Sequence, residues 1–208
     1  FPTSFYFGSV YTESLFLALT VWSFYFARTG RWWAAGILGG FASATRIIGI
    51  LLLPVLLVEW FIQKSNKVKV KSLSILYLLI IPVGLLAYMY YLFHTTGDPF
   101  IFFHSLTQFG EQRSSTPIIL PQVFWRYIKI AGDITVHDPF FYTFLLELGT
   151  AILFLVASVA SFFKLRLSYA LFAALGYLAP TLSGSFSSLP RYVLPLFSLF
   201  LLGAILID

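Results

Sequence analysis

The sequence predicts an all-α protein, a polytopic bundle of transmembrane helices. Hydrophobic residues make up 59% of its 208 residues and charged residues only 10%, which excludes a soluble domain with a polar shell. The aromatic share of 20% suits helix ends in the headgroup region, and the ten-residue alternation typical of a membrane barrel is missing. One helical crossing needs about 20 apolar residues. The apolar runs are 10–27, 32–62, 72–93, 140–163, 168–182 and 192–207.

These runs predict a single domain over 1–208 that is incomplete at its N-terminus and also at its C-terminus. The chain begins with Phe1 rather than Met and shows no signal peptide, and it is still apolar at its last residues. The absence of cysteine excludes disulfides, thiolate metal sites and cysteine nucleophiles. A net charge of +5 is accounted for by loop lysines, so no nucleic-acid partner is expected.

The second apolar run is too long for one crossing and is interrupted at Thr45 and Arg46. We expect two short helices, 32–44 and 47–62, that form a broken helical hairpin with Arg46 near its turn. Both ends of this hairpin then lie on the same side of the membrane. Small residues at 36–40 predict close packing between helices rather than a phosphate-binding loop.

Charge in the loops predicts the orientation. If each remaining run crosses once, eight of the 13 basic residues fall on one side, which the positive-inside rule makes cytoplasmic. They are Arg28, Arg31, Lys64, Lys67, Lys69, Lys71, Lys164 and Arg166. The opposite face receives Arg46, Arg113, Arg126, Lys129 and Arg191 together with Glu13, Asp98, Glu111, Asp133 and Asp138.

The loop 94–139 is the largest segment outside the predicted helices and belongs to that opposite, external face. Its part 121–132 alternates Trp125 and Tyr127 with Arg126 and Lys129. This pattern predicts a short helix, which either lies in the membrane interface or packs as an ordinary loop helix.

Several catalytic classes are excluded by the motifs that the sequence lacks. It contains no GxGxxG, Walker, HExxH or GxSxG motif, which excludes nucleotide-dependent and zinc-hydrolase chemistry. His94, His104 and His137 show no ligand spacing. A metal site built from His94, Asp98 and His104 is less expected than ordinary hydrogen bonding within the loop, so no metal is assigned.

Three charged residues beside apolar segments are candidates for a site. Glu13 at the start of the first helix is either a substrate-side residue or a carboxylate favoured by the helix dipole. Arg46, inside the apolar hairpin, either binds an anion or ties down neighbouring carbonyls. Arg191, followed by Tyr192, either grips a phosphate or is an interface arginine with an aromatic neighbour.

Hydroxyls at Ser185, Ser187 and Ser188 precede Arg191 and can donate hydrogen bonds to the same anion. Two arginines, a carboxylate and hydroxyls around an external mouth beside lipid fit a membrane-embedded phosphate ester. A polyprenyl-phosphate sugar is a ligand of this kind.

A series of motifs extends along nearly the whole chain. In order, the segments are FPTSFYF at 1–7, YTESLF at 11–16, ATRIIG at 44–49, GDPF at 97–100 with His104 and Gln108, and SSLPRY at 187–192. The two most specific motifs are Tyr-x-Glu-Ser-Leu-Phe and Ser-Leu-Pro-Arg-Tyr. This ordered series resembles the PIG-V type of mannosyltransferase and its prokaryotic relatives, within the GT-C superfamily of multi-pass glycosyltransferases.

This resemblance implies a GT-C-like bundle that transfers a sugar, typically mannose, from a polyprenyl- or dolichyl-phosphate donor by an inverting mechanism. A general base in the first external loop is implied, upstream of residue 1, so the catalytic residue is not assigned and Glu13 is its nearest substitute. The substrate-binding residues expected are Arg46, Arg191, Tyr192, His104, Gln108, Asp98 and Ser188.

The expected partners are membrane lipid, the polyprenyl-phosphate sugar donor and a glycan, lipid or protein acceptor, with no cofactor. The active face is expected to be extracytoplasmic or lumenal, in the plasma membrane of a prokaryote or the endoplasmic reticulum of a eukaryote. Three alternatives remain: a GT-C transferase of different donor specificity, a secondary transporter with a site near the midplane, and a non-catalytic subunit on the same scaffold.

Overall fold

A computed structural model describes residues 3–8, 11–66, 68, 70–105 and 116–207 of the chain. These residues form helices joined by short turns, and no strand occurs among them. The all-α prediction is confirmed for this part of the chain. The α-helices are α1 Glu13–Arg28, α2 Trp32–Thr45, α3 Leu52–Ser65, α4 Ile80–Thr96, α5 Ile101–His104, α6 Leu120–Asp133, α7 Phe141–Lys164, α8 Leu167–Thr181, α9 Leu189–Tyr192 and α10 Phe197–Ile207.

Three of the described helical segments are long and apolar enough to cross a membrane. They are Ile47–Ser65, Ser72–Thr96 and Phe141–Lys164, with mean hydropathy of 1.9, 2.1 and 2.0. The first two include 3₁₀ turns, Ile47–Leu51 and Ser72–Leu79, which lead directly into α3 and α4. Many large apolar side chains on these helices are exposed. Such surfaces indicate a membrane protein, because exposing large apolar side chains to water is energetically unfavourable.

The predicted break at Arg46 is confirmed, because Arg46 has an extended backbone (φ −147°, ψ 137°) between α2 and the next turn. After the break, Gly49 packs so closely on Ala42 and Ser43 that a Cβ there would overlap the α2 backbone. The two arms do not then pack along each other as the predicted hairpin requires. Instead α3 packs on α8 and α1, because the faces of α2 are already covered by α1 and α4.

The small residues of α2 form the predicted helix contact. A Cβ at Gly36 would overlap the carbonyl of Tyr77, and one at Gly84 of α4 would overlap the carbonyl of Gly40. Ser43 donates hydrogen bonds to the carbonyl oxygens of Gly40, at 2.9 Å, and Ile81. Backbone-to-backbone approach of this kind is the usual way in which apolar helices associate without a hydrophobic driving force between them.

At the C-terminal end of α1 the structure contains a buried ion cluster that sequence reasoning missed. Glu59 of α3 is fully buried and accepts hydrogen bonds from Arg28 (3.3 Å), Arg166 (2.8 Å) and Ser168 (2.8 Å). Gln63 adds a fourth bond at 2.7 Å. We call these residues the Glu59 cluster. Because its members come from α1, α3 and the start of α8, the cluster fixes one end of these helices together.

The helix contact at Gly84 gives a first prediction. Gly84→Ala is expected to lower the free energy of unfolding by about 1–3 kcal/mol, because the added methyl forces α4 away from Gly40. Gly149→Ala in α7 is the matched control, since no atom lies within 4 Å of its added Cβ and helix propensity favours alanine. Thermal unfolding of the two variants in detergent measures the difference in their stability. A Gly84→Ala protein as stable as Gly149→Ala would contradict the contact.

Candidate functional site

The three charged candidates from the sequence meet at the N-terminal end of α1. Glu13 is the first residue of that helix, and its side chain is 0% exposed. Its Oε1 accepts a hydrogen bond from Nη1 of Arg46 at 2.7 Å and another from Nε of Arg191. We call these three residues the Glu13 cluster. Residues separated by up to 178 positions in the chain therefore share one carboxylate oxygen.

Local backbone geometry explains how the arginines reach Glu13. Arg46 is the extended residue at the break after α2, so its side chain leaves the helix direction there. Arg191 lies in the single turn of α9, which Ser188 starts in the left-handed region with φ 62°. The Ser188 carbonyl accepts hydrogen bonds from the backbone N–H groups of Arg191 and Tyr192 at 3.0 and 3.2 Å. Thr3 donates from Oγ1 to the Pro190 carbonyl at 3.1 Å and so ties the start of the chain to α9.

Aromatic rings surround both guanidinium groups. The Cζ atom of Arg191 lies 4.1 Å from the ring centroid of Tyr11 and 5.2 Å from that of Tyr6. The Cζ atom of Arg46 lies 5.4 Å from the centroid of Tyr192 and 5.9 Å from that of Phe16. At these distances cation–π attraction holds each guanidinium in a fixed plane. The predicted partner Tyr192 therefore supports Arg46, not Arg191 as its position in the sequence suggests.

The Glu13 cluster carries an excess of positive charge. Two guanidinium groups share one carboxylate, which leaves a net charge of +1. Arg191 is bound to Glu13 through Nε, and among the described residues its two terminal amino groups make no hydrogen bond. Its side chain is 27% exposed, whereas that of Arg46 is 11% exposed. Arg191 is therefore the more accessible arginine of the cluster.

The contacts add ion pairs to both alternatives left open for Glu13 and its arginines. Glu13 is the first residue of α1 and also bridges two other segments. Nε of Arg191 is bound to this buried carboxylate. Oε2 of Glu13 is buried and has no hydrogen-bond partner among the described residues. Glu13 therefore holds both arginines through one oxygen, Oε1.

Asp98 and His104 do not join this cluster. They pair with each other, with Nδ1 of His104, the last residue of α5, 2.5 Å from Oδ2 of Asp98 in the turn before that helix. This bond, with a weaker one from the Phe100 N–H, holds the pKa of Asp98 below its usual value. His94 instead packs against Tyr90. Ser188 contributes through its backbone as described above, and Gln108 lies outside the described residues.

No set of three or more histidine, aspartate or glutamate side chains that could hold a metal ion occurs in the described ranges. Comparison of the chain with models of known families, with curated proteins and with solved structures found no match. The resemblance to the PIG-V type therefore remains a prediction that depends on the motifs alone. The Glu13 cluster joins three of those motifs, because the carboxylate of YTESLF bonds to the arginines of ATRIIG and SSLPRY.

The shared carboxylate gives a second prediction. Glu13→Gln is expected to lower the free energy of unfolding by about 3 kcal/mol, because it leaves two partly buried arginines without a counter-charge. Combining it with Arg46→Gln should cost at least about 1 kcal/mol less than the sum of the single changes, since the two residues act through one interaction. Chemical unfolding of the four proteins measures this coupling. Strict additivity would contradict the ion pair.

Proposed function

We propose that the chain belongs to an integral-membrane glycosyltransferase that transfers a sugar, typically mannose, from a polyprenyl- or dolichyl-phosphate donor to an acceptor hydroxyl. The single observation that carries this proposal is the Glu13 cluster, a site of net positive charge at one end of an apolar helical bundle. Among the described residues, the terminal amino groups of its Arg191 make no hydrogen bond. A lipid phosphate has its charged group at this depth, beside the ends of the helices. Guanidinium is suited to it because the fork geometry of its N–H groups matches phosphate oxygens.

In this proposal the Glu13 cluster faces the extracytoplasmic side. α1 joins it to the Glu59 cluster, and the distance from Glu13 to Arg28 along 15 helical steps is about 22 Å. That length approaches the roughly 30 Å of a hydrocarbon core. Arg28 and Arg166, two members of the predicted cytoplasmic set, bond to Glu59 at that end of α1, which supports this orientation under the positive-inside rule.

The chemistry follows from the charge that develops on the leaving group. An acceptor oxygen bonds to C1 of the sugar from the side opposite the phosphate, and the bond from C1 to the phosphate oxygen breaks. The electron pair of that bond leaves with the lipid phosphate, whose negative charge grows. The acceptor proton passes to a carboxylate base. A site with net positive charge binds the departing phosphate more strongly than the intact donor, which lowers the barrier.

Glu13 is a positioning residue in this scheme. A fully buried carboxylate that is bonded to two guanidinium groups cannot reach an acceptor hydroxyl, and its bonds to arginine stabilise its ionised form. The role of Glu13 is to hold Arg46 and Arg191 at a fixed separation. The proposal assigns the general base to none of the described residues.

The transporter alternative receives less support. Secondary transporters bind substrate near the bilayer midplane, between repeats and at broken helices. The break at Arg46 fits such a pattern, but its guanidinium is bound to the first residue of α1, at the end of the helix. No internal repeat is visible in the sequence.

The proposal is tested by transfer of radiolabelled mannose from polyprenyl-phosphate mannose in membranes that contain the full-length protein. Arg191→Lys is expected to lower kcat roughly 10²-fold, because lysine retains the charge but loses the paired donors that stabilise the leaving phosphate. The matched control is Arg166→Lys. Arg166 also bonds through Nε to a fully buried glutamate and is also 27% exposed, but it lies at the other end of α1.

A loss of transfer in Arg191→Lys, with Arg166→Lys active and both proteins equally stable, would support the phosphate site. Equal transfer by Arg191→Lys and the unchanged protein would show that Arg191 does not contact the leaving group. Absence of transfer by a well-expressed unchanged protein would favour a different sugar donor first.

A further inference from the structure

A second polar site lies on the other side of the segment that carries Arg191. A partly open cavity of about 270 Å³ lies between α6, the start of α7 and the residues that precede α9. None of the sequence motifs predicted it. Its lining includes Arg126, Tyr127, Phe140, Thr143, Glu147, Ser185 and Ser187.

A hydrogen-bond network holds one wall of this cavity in place. The Tyr127 hydroxyl donates to Oε2 of Glu147 at 2.7 Å and accepts from the backbone N–H of Phe186 at 3.1 Å. Ser185 Oγ lies 3.5 Å from the same hydroxyl and accepts from the N–H of Ser187 at 3.1 Å. Burial of Tyr127 raises the pKa of its hydroxyl, so it remains a hydrogen-bond donor.

The segment that precedes α9 is also held in place by contacts outside this network. Gly184 has φ 86°, and Nη1 of Arg126 donates to its carbonyl at 3.3 Å. A side chain at Gly184 would meet both Ile118 and Arg126. The carbonyl of Leu182 accepts from the N–H of Ile118 at 2.9 Å. The polar groups of the cavity are thus held by backbone and aromatic packing before any ligand binds.

The chemistry of the lining favours a neutral, hydroxyl-rich ligand. Among the described residues of the lining, the charges of Arg126 and Glu147 are opposite, so this part of the lining has no excess of positive charge to attract a phosphate. Serine and threonine hydroxyls and a carboxylate offer both donors and acceptors. Tyr127, Phe140 and Phe144 supply apolar ring surfaces for the C–H face of a sugar. The volume equals that of about nine water molecules, which suits one small polyol or sugar unit.

The cavity and the Glu13 cluster are joined by one short piece of chain. Ser187 and Arg191 are four positions apart, partly within the helical turn α9, so their Cα atoms are at most about 14 Å apart. The cavity and the Glu13 cluster are therefore neighbouring sites.

We propose that this cavity binds the hydroxylated headgroup of the acceptor, with Tyr127 and Glu147 orienting its hydroxyls. The identity of the ligand as acceptor rests on the proposed glycosyltransferase function. The presence of a polyol-binding site in this cavity does not depend on that function. An experiment that detects binding without turnover separates the two.

The chain has no cysteine, so a single introduced thiol reports on the cavity. Thr143→Cys places an exposed thiol in the lining, and Val136→Cys places one outside it, in the exposed turn between α6 and α7. Maleimide labelling of both variants of the full-length protein is measured with methyl α-mannoside, glycerol or inorganic phosphate present. A bound ligand slows labelling by the factor 1 + [L]/Kd, roughly 100-fold at 100 mM for a Kd of 1 mM.

We expect methyl α-mannoside or glycerol to protect Thr143→Cys and not Val136→Cys, and Tyr127→Phe in the same background to reduce that protection. Labelling that neither polyol slows at about 100 mM, or that only phosphate slows, would overturn the proposal. Tyr127→Phe keeps the ring, so equal thermal unfolding shows that the fold is intact.

The sugar-transfer assay then distinguishes the two proposals. If the protein transfers sugar but Tyr127→Phe leaves the KM for the acceptor unchanged, the cavity is not the acceptor site. If polyol protection is present and no transfer occurs, the cavity site stands and the glycosyltransferase function fails. If Tyr127→Phe raises the KM for the acceptor and leaves the KM for the donor unchanged, both proposals are supported.

Discussion

The arrangement at the N-terminal end of α1 depends on one buried carboxylate. Removing Glu13 from water is costly, and only paired charges and hydrogen bonds compensate for it. Two arginines from distant parts of the chain supply them, one at the break after α2 and one in the single turn α9. The carboxylate therefore fixes the positions of these two segments at the N-terminal end of α1. The same interaction leaves a net positive charge at the surface of the cluster, which is the feature that the proposed function uses.

A second buried carboxylate that is paired with two arginines lies at the opposite end of α1. Glu59 is also fully buried and also accepts from two arginines, Arg28 and Arg166, with Ser168 and Gln63 completing its bonds. The clusters differ in how the carboxylate is bonded. Both oxygens of Glu59 are bonded, whereas Glu13 satisfies both arginines through Oε1 alone. Each cluster has two guanidinium groups for one carboxylate, and Arg166, like Arg191, is bonded through Nε. The lipid-phosphate proposal therefore depends on which end of α1 the cluster occupies and not on charge alone.

Sequence reasoning could predict the helices, the break at Arg46 and the shared face of Glu13, Arg46 and Arg191, because hydropathy and loop charge report on depth in a membrane. It could not predict that Glu13 joins the arginines, since contacts across 178 positions leave no periodic signal. The Glu59 cluster could not be predicted, because a single acidic residue in an apolar helix does not indicate which residues pair with it. The hairpin arms separate because glycine contacts bind α2 to α4 instead. The cavity around Glu147 depends on a loop conformation set by Gly184, which no pattern in the sequence specifies.

The central claim is that the Glu13 cluster binds a lipid phosphate. Its most direct test is retention of polyprenyl phosphate, without sugar, by the full-length protein in native mass spectrometry. The double variant Arg46→Gln/Arg191→Gln is compared with Arg28→Gln/Arg166→Gln, since each removes two arginines from one buried glutamate. The account predicts that the first variant loses the lipid and that the second, like the unchanged protein, retains it. Equal retention by both variants, or no retention by the unchanged protein, would contradict it.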